Sequence, residues 1–257
     1  MLLHLSDLHF GTHKENCITA IQKFCRENKV EAVVVSGDLT QRARFKEFFH
    51  CKLFLESLNL PYLVVPGNHD IPLYHVWRRM FSPFVRYQNF FGKPEEVLET
   101  QNFYIIGVNS IHRRHHTKGR LSKEQINDIA QKIEQAPKNK IKLVVIHQPF
   151  YASADAKHDM KDCPTLAKTA LQIWGQHGLF GLLHGHLHQN AVYDLNKIYD
   201  LALDAPVYDI HAGTSTSYRL HDQEPNSFNV LFADKKISHF EFNEDLQEFE
   251  QKEIFFG

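Results

Sequence analysis

Three short, largely apolar runs, Leu2–Leu5, Ala32–Val35 and Tyr62–Val65, punctuate the first 70 residues. Such uninterrupted runs suit parallel strands covered on both faces. Between the first two, Cys17, Ile18, Ile21, Phe24 and Cys25 recur at three- and four-residue intervals, which predicts a helix over 15–29. Phe45, Phe49 and Leu53, four apart, predict a second helix over 43–58. Strand–helix–strand–helix–strand with short crossovers makes neighbouring parallel strands. Ligands of such sheets bind beyond the carboxyl ends of the strands.

The regular alternation stops after residue 70. Residues 71–96 are rich in aromatics and arginines and broken by Pro72 and Pro83, which predicts a short helix and irregular cover. Strand character resumes at 103–108, 141–146 and 179–183. Between these strands, Ser122 and Gln125 form a capping box ahead of Ile126, Ile129 and Ile133, 151–163 is expected as a loop, and a helix is expected over 165–177. Beyond residue 190 helix signals vanish. Short strands are expected around 191–194, 206–212, 227–233, 236–242 and 248–255, forming a second, largely antiparallel sheet. With no linker or repeat in view, residues 1–257 are expected to form a single domain.

Composition narrows the function classes. The 257 residues are 43% apolar and 23% charged, with net charge −1 and a pI near 7.0. No overall field attracts polyanions, so nucleic acid is not an expected partner. Four cysteines, Cys17, Cys25, Cys51 and Cys163, lack C-x-x-C spacing, and no run reaches the length of a membrane span. A cytoplasmic location is expected. The abnormal feature is eighteen histidines, several of them at strand ends.

Each main run ends in potential ligands. Leu2–Leu5 leads into Asp7 and His9, Ala32–Val35 into Asp38, and Tyr62–Val65 into Asn68, His69 and Asp70. The strand at 141–146 ends at His147, and that at 179–183 at His184-Gly185-His186-Leu187-His188. Glycines 37, 67 and 185 are expected to let the chain turn beside them. A pair of divalent ions needs a shared anionic oxygen between them, plus further carboxylate, amide and imidazole ligands. Such a mixed O/N donor set suits Mn, Fe, Zn or Co. Other histidines are read as structural: His4 on a strand, His50 and His177 on helices, His184 at a strand end. His13 is a candidate for the site entrance.

Asp-x-His, Gly-Asp, Gly-Asn-His-Asp, a lone His after a strand and Gly-His-x-His, in that order, resemble the calcineurin-like metallophosphoesterases. The resemblance implies an α/β fold, a four-layer α-β-β-α sandwich of two mixed sheets. It implies that Asp7, His9, Asp38 and His188 hold one metal and that Asp38, Asn68, His147 and His186 hold the other, with Asp38 bridging. It implies a phosphodiesterase acting by a metal-bridging hydroxide, with His69 donating a proton to the leaving oxygen and Asp70 orienting His69. Residues Ala212–Ser217, Arg219 and Glu224–Asn229 look like the tail of bacterial members related to class III cyclic nucleotide phosphodiesterases. The implied partner is therefore a small phosphodiester, with cyclic nucleotides first; a homodimer is left open. Gln148 departs from relatives that carry a second histidine there, as does the basic loop 112–120. The alternatives are a nucleotide-lipid pyrophosphatase or nuclease of the same fold, or a non-catalytic binding scaffold.

Overall fold

The computed structural model describes residues 1–152, 159–220 and 224–256. Twelve strands fall into two mixed six-stranded sheets among these residues. In the first, β1 (Leu2–Leu5), β2 (Ala32–Val35) and β3 (Tyr62–Val64) run parallel, and β10 (Ser227–Leu231), β11 (Lys236–Asn243) and β12 (Glu248–Phe256) extend the sheet antiparallel from β1. The second has the order β4 (Val97–Glu99), β5 (Phe103–Gly107), β6 (Ile141–Val145), β7 (Gly181–His184), β9 (Tyr208–His211), β8 (Ala191–Asp194). Its four central strands are parallel and its two edge strands antiparallel.

Side-chain alternation along the strands builds the layers. Leu3, Leu5, Val33 and Val35 pack outward with Ile18 and Ile21 of α1 (Glu15–Glu27) and Phe48 and Leu55 of α2 (Phe45–Ser57). Their neighbours Leu2, Ala32 and Val34 turn inward, against Ile105, Leu143, Val145 and Ile210 of the second sheet. On the far side, Val144 and Leu182 pack with Ile129 of α5 (Lys123–Gln135) and Trp174 of α6 (Ala167–Gln176). This is the expected four-layer sandwich. The inner strands bury both faces, which is why their sequences read as continuous apolar runs.

Two expectations change. The tail does not form a sheet of its own: β8 and β9 complete the second sheet and β10–β12 the first. A five-residue helix, α7 (Leu195–Tyr199), follows β8, with the Asp194 carboxylate accepting from the amides of Asn196 and Lys197. It is too short to show periodicity. On α2 the stripe Phe45, Phe49 and Leu53 faces solvent, while Phe48, Cys51, Phe54 and Leu55 enter the core. Two short helices, α3 (Val76–Phe81) and α4 (Val85–Phe91), cover the stretch before β4. The Ser122–Gln125 capping box forms as expected. The expected loop over 151–163 lies partly outside the described residues.

Candidate metal centre

The loops leaving β1, β2, β3, β6 and β7 meet at one edge of the sandwich. They bring together every ligand residue that the sequence pointed to. Asp7, His9, Asp38, His186 and His188 all adopt left-handed φ angles, between 47° and 67°. Non-glycine residues rarely do so, and such strain gathers at functional sites. Gly37 also has positive φ, at 103°. Gly185 does not; there the need is space, since a Cβ would overlap Ser6 Oγ and Asp7 Oδ2.

Hydrogen bonds fix the tautomers of the imidazoles, because a carbonyl or carboxylate only accepts. His147 Nδ1 donates to the Ser36 carbonyl (2.8 Å), leaving Nε2 as a lone pair. His186 Nε2 donates to Asp162 Oδ2 (3.1 Å), leaving Nδ1 free. His188 Nδ1 donates to the Arg219 carbonyl (2.9 Å), leaving Nε2 free. The freed atoms converge. His147 Nε2 lies 2.9 Å and His186 Nδ1 3.1 Å from Asn68 Oδ1, and the two nitrogens are 3.3 Å apart. With His147 deprotonated, three lone pairs face one another, an arrangement that a cation would satisfy. A second nest is built from His188 Nε2, 3.3 Å from His9 Nε2 and 3.1 Å from Asp7 Oδ1. Asp38 stands between them, with Oδ1 3.5 Å from His147 Nε2 and Oδ2 3.8 Å from His9 Nε2.

Such convergence is repulsive unless a cation fills each nest, so the donor set fits metal ions. Asp7 Oδ1 is buried without a hydrogen bond of ordinary geometry, as a ligand oxygen would be. Burial raises the Asp38 carboxyl, but the facing His147 and His69 outweigh it and hold Asp38 well below its ordinary value. Burial lowers His147, yet Asp38 reverses this and pushes it up to about 9. His9, less compensated, is driven by burial down to about 3. Asp38 facing His147 and Asp7 facing His188 thus strengthen each ring's hold on a proton, and a bound cation would take that proton's place.

His69 lines the open cleft of about 370 Å³ together with Asp38, Asn68, His186, His188 and Arg219. Asp70 does not orient the ring. Its carboxylate accepts from the amides of Leu39, Thr40 and Gly67 and from the Thr40 hydroxyl, stapling the Asp38 loop to the Asn68 loop. Burial and the Asp38 charge push the Asp70 carboxyl up to about 7, against four donors that favour its ionised form. The His69 ring is instead aimed by the Gln41 carbonyl, which accepts from Nδ1 at 2.9 Å. Its Nε2 meets Arg219, whose guanidinium NH1 lies 3.3 Å away.

Sequence reasoning missed Asp162 and Gln41. Asp162 holds His186 and accepts from Thr117 Oγ1 at 2.6 Å. No strand leads into it, so no pattern marks it. His13 pairs with Glu15 at 3.0 Å and is absent from the cleft wall. His184 sits buried at its strand end, as expected, with Nε2 3.0 Å from Asp209 Oδ1. Gln148 bonds to the Ser110 hydroxyl and donates to the Thr117 carbonyl (3.0 Å), so it positions the loop that carries Thr117. The 212–217 segment straps the first metal loop: Thr214 and Thr216 hydroxyls donate to the carbonyls of Asp7 (2.6 Å) and Leu8 (2.7 Å).

The family model described as calcineurin-like phosphoesterase matches residues 1–190, which include every candidate ligand. The chain belongs to this family. Among curated proteins it is 24% identical to a probable glycerophosphodiester phosphodiesterase GpdQ of Arcobacter nitrofigilis over 207 residues, 79% of this chain and 72% of that protein. It is 23% identical to the 3′,5′-cyclic adenosine monophosphate phosphodiesterase CpdA of Escherichia coli K12 over 211 residues, 76% of this chain and 72% of that protein. Its fold resembles purple acid phosphatase PPD1 of yellow lupin (TM-score 0.70, 12% identity), matching 97% of this chain but 52% of the lupin chain. It also resembles a dimetal phosphatase of Danio rerio (TM-score 0.63, 12% identity; 93% and 94% of the two chains). Among the described residues no helix is long and apolar enough to cross a membrane.

Proposed function

We propose that this phosphoesterase is a dinuclear metal-dependent phosphodiesterase of small phosphodiesters. The carrying observation is the pair of lone-pair nests with Asp38 between them. In this reading Asp7, His9, Asp38 and His188 hold one ion, and Asp38, Asn68, His147 and His186 the other. When bound, two Mn, Fe, Zn or Co ions supply Lewis-acid neutralisation of phosphate oxygens and water activation.

The chain's own residues do the rest. Arg219 and His69 share one wall of the cleft, where a guanidinium can orient a phosphate oxygen. With its Nδ1 proton committed to Gln41, a protonated His69 has only Nε2–H to give, and that atom faces the cleft. It donates this proton to the departing alkoxide. Two of the named relatives act, by their names, on phosphodiesters, so cyclic AMP and glycerophosphodiesters are the first substrates to assay. The complete ligand set argues against a non-catalytic scaffold.

The test is metal content and turnover on the same preparation. Two ions per chain and Mn²⁺-dependent hydrolysis of bis-p-nitrophenyl phosphate and a natural diester are expected. Full activity after chelation, or undiminished activity in Asp38→Ala, would overturn the reading.

A further inference from the structure

A second surface stands out away from the metal ligands. Residues 73–78 are all exposed. Within and beside them Tyr74, Val76, Trp77 and Phe81 are 74%, 67%, 79% and 75% exposed, in a protein whose other tryptophan, Trp174, is fully buried. Trp77 and Phe81 stack at 5.8 Å, one turn apart on α3. The exposed stripe of α2 continues this face: Phe45 packs edge-on against Phe90 of α4 at 5.0 Å. Large contiguous apolar exposure of this kind marks an interaction surface.

Charge says what it meets. Segments 42–46, 71–93 and 112–120 contain eleven lysines and arginines and no aspartate or glutamate, although the whole chain has net charge −1. The three segments are physically joined. Arg79 donates to the carbonyls of Arg113 (2.8 Å) and His115 (2.7 Å), fastening the 112–116 loop to α3. Arg86 donates to the Ala43 carbonyl (2.7 Å), fastening α4 to the start of α2. Arg42 reaches the Tyr74 hydroxyl at 3.2 Å. The result is one face where exposed aromatics are flanked by cations; Glu47 of α2, 3.9 Å from Arg44, is the acid beside them and is buried. Aromatic rings at headgroup depth with surrounding Lys and Arg are the chemistry of binding at an anionic bilayer surface. The face also adjoins the candidate active site: Arg42 and Leu73 line a pocket of about 200 Å³ that includes Asn68 and His69.

We propose that the α2–α4 face docks this protein on an anionic lipid surface, with Trp77 and Phe81 inserted at the level of the headgroups and the surrounding arginines paired with lipid phosphates. This does not depend on the metal centre being catalytic.

The full chain is floated with vesicles of phosphatidylcholine alone and of phosphatidylcholine with phosphatidylglycerol, while tryptophan emission is followed. Co-flotation with the anionic vesicles, a blue shift of the Trp77 emission, and loss of both in high salt are expected. Trp77→Ser/Phe81→Ser and Arg78→Glu each lower vesicle affinity about tenfold or more. All three positions are exposed, so folding and hydrolysis of a soluble diester stay unchanged, which separates a failure here from a failure of the proposed activity. Absence of flotation with anionic vesicles overturns the proposal. So does binding that the variants leave intact, or self-association sensitive to Trp77→Ser without vesicle binding, which would assign the face to a second copy.

Discussion

The two walls of the candidate centre are made differently. The wall from β1–β3 supplies the carboxylates and is held by its backbone: Asp7 N donates to Gly37 O (3.1 Å), His9 N to Asp38 O (2.9 Å), and the 214–216 hydroxyls grip from behind. The wall from β6 and β7 supplies imidazoles, each aimed by a single acceptor: Ser36 O, Asp162 or Arg219 O. Buried charge is costly when its surroundings shift, so it is tied down many times over. An imidazole needs only the right proton on the right nitrogen. Damage to the first wall should therefore abolish binding, and damage to the second should weaken it.

Asp38→Ala tests the first wall most severely: both ions and all measurable turnover are lost, read by metal analysis alongside diester hydrolysis. His69 belongs to neither proposed ligand set, so in His69→Gln two ions should remain while kcat falls about 10²–10⁴-fold. That loss should shrink for a p-nitrophenolate leaving group, which needs no proton. For the second wall, Asp162→Ala should weaken metal affinity about 10–100-fold without changing the ligand set, measured by chelator competition. Equal losses in Asp162→Ala and Asp38→Ala would erase the distinction. Gly185→Ala, which forces a methyl onto Ser6 and Asp7, should destabilise by about 1–3 kcal/mol in a urea titration.

A further effect lies away from both walls. His239 is buried on β11, where burial lowers it to about 4, with Nδ1 3.1 Å from Asn229 Oδ1. Unfolded, it binds a proton below about 6.5, so the unfolded chain takes up more protons than the folded one between those values. Stability should fall as pH drops from about 6.5 to about 4, by at most about 1.4 kcal/mol per pH unit from this residue. His239→Gln should reduce the slope of urea midpoint against pH over that window by one proton's share, the buried His4, His9 and His211 keeping the rest.

The candidate ligands were legible because each follows an apolar run, and a strand end says where the next side chains go. Their orienting partners were not. Asp162, Gln41 and the Arg219 carbonyl reach the centre from elements with no periodic signature, and only the assembled loops reveal them. Asp70 misled for a related reason: adjacency to His69 suggested a partnership, whereas its carboxylate reaches across to Leu39 and Thr40. On α2, apolar residues occupy nearly the whole circumference, so spacing alone could not tell the stripe facing the sheet from the one facing solvent. Sheet membership of the last strands was hidden because Leu2 pairs with Leu231, and no local pattern records so distant a partner.

That pairing has a consequence for biogenesis. During synthesis the Asp7 loop emerges from the ribosome early, but β1 waits for β10, and the hydroxyls of 214–216 arrive almost as late. Until then one edge of β1 is bare and the loop is unbraced. Contacts closed over such long sequence separations form slowly. The nascent polypeptide should thus gain ion-holding competence only once β10 has been made, and truncations ending before Thr214 should fail to retain metal.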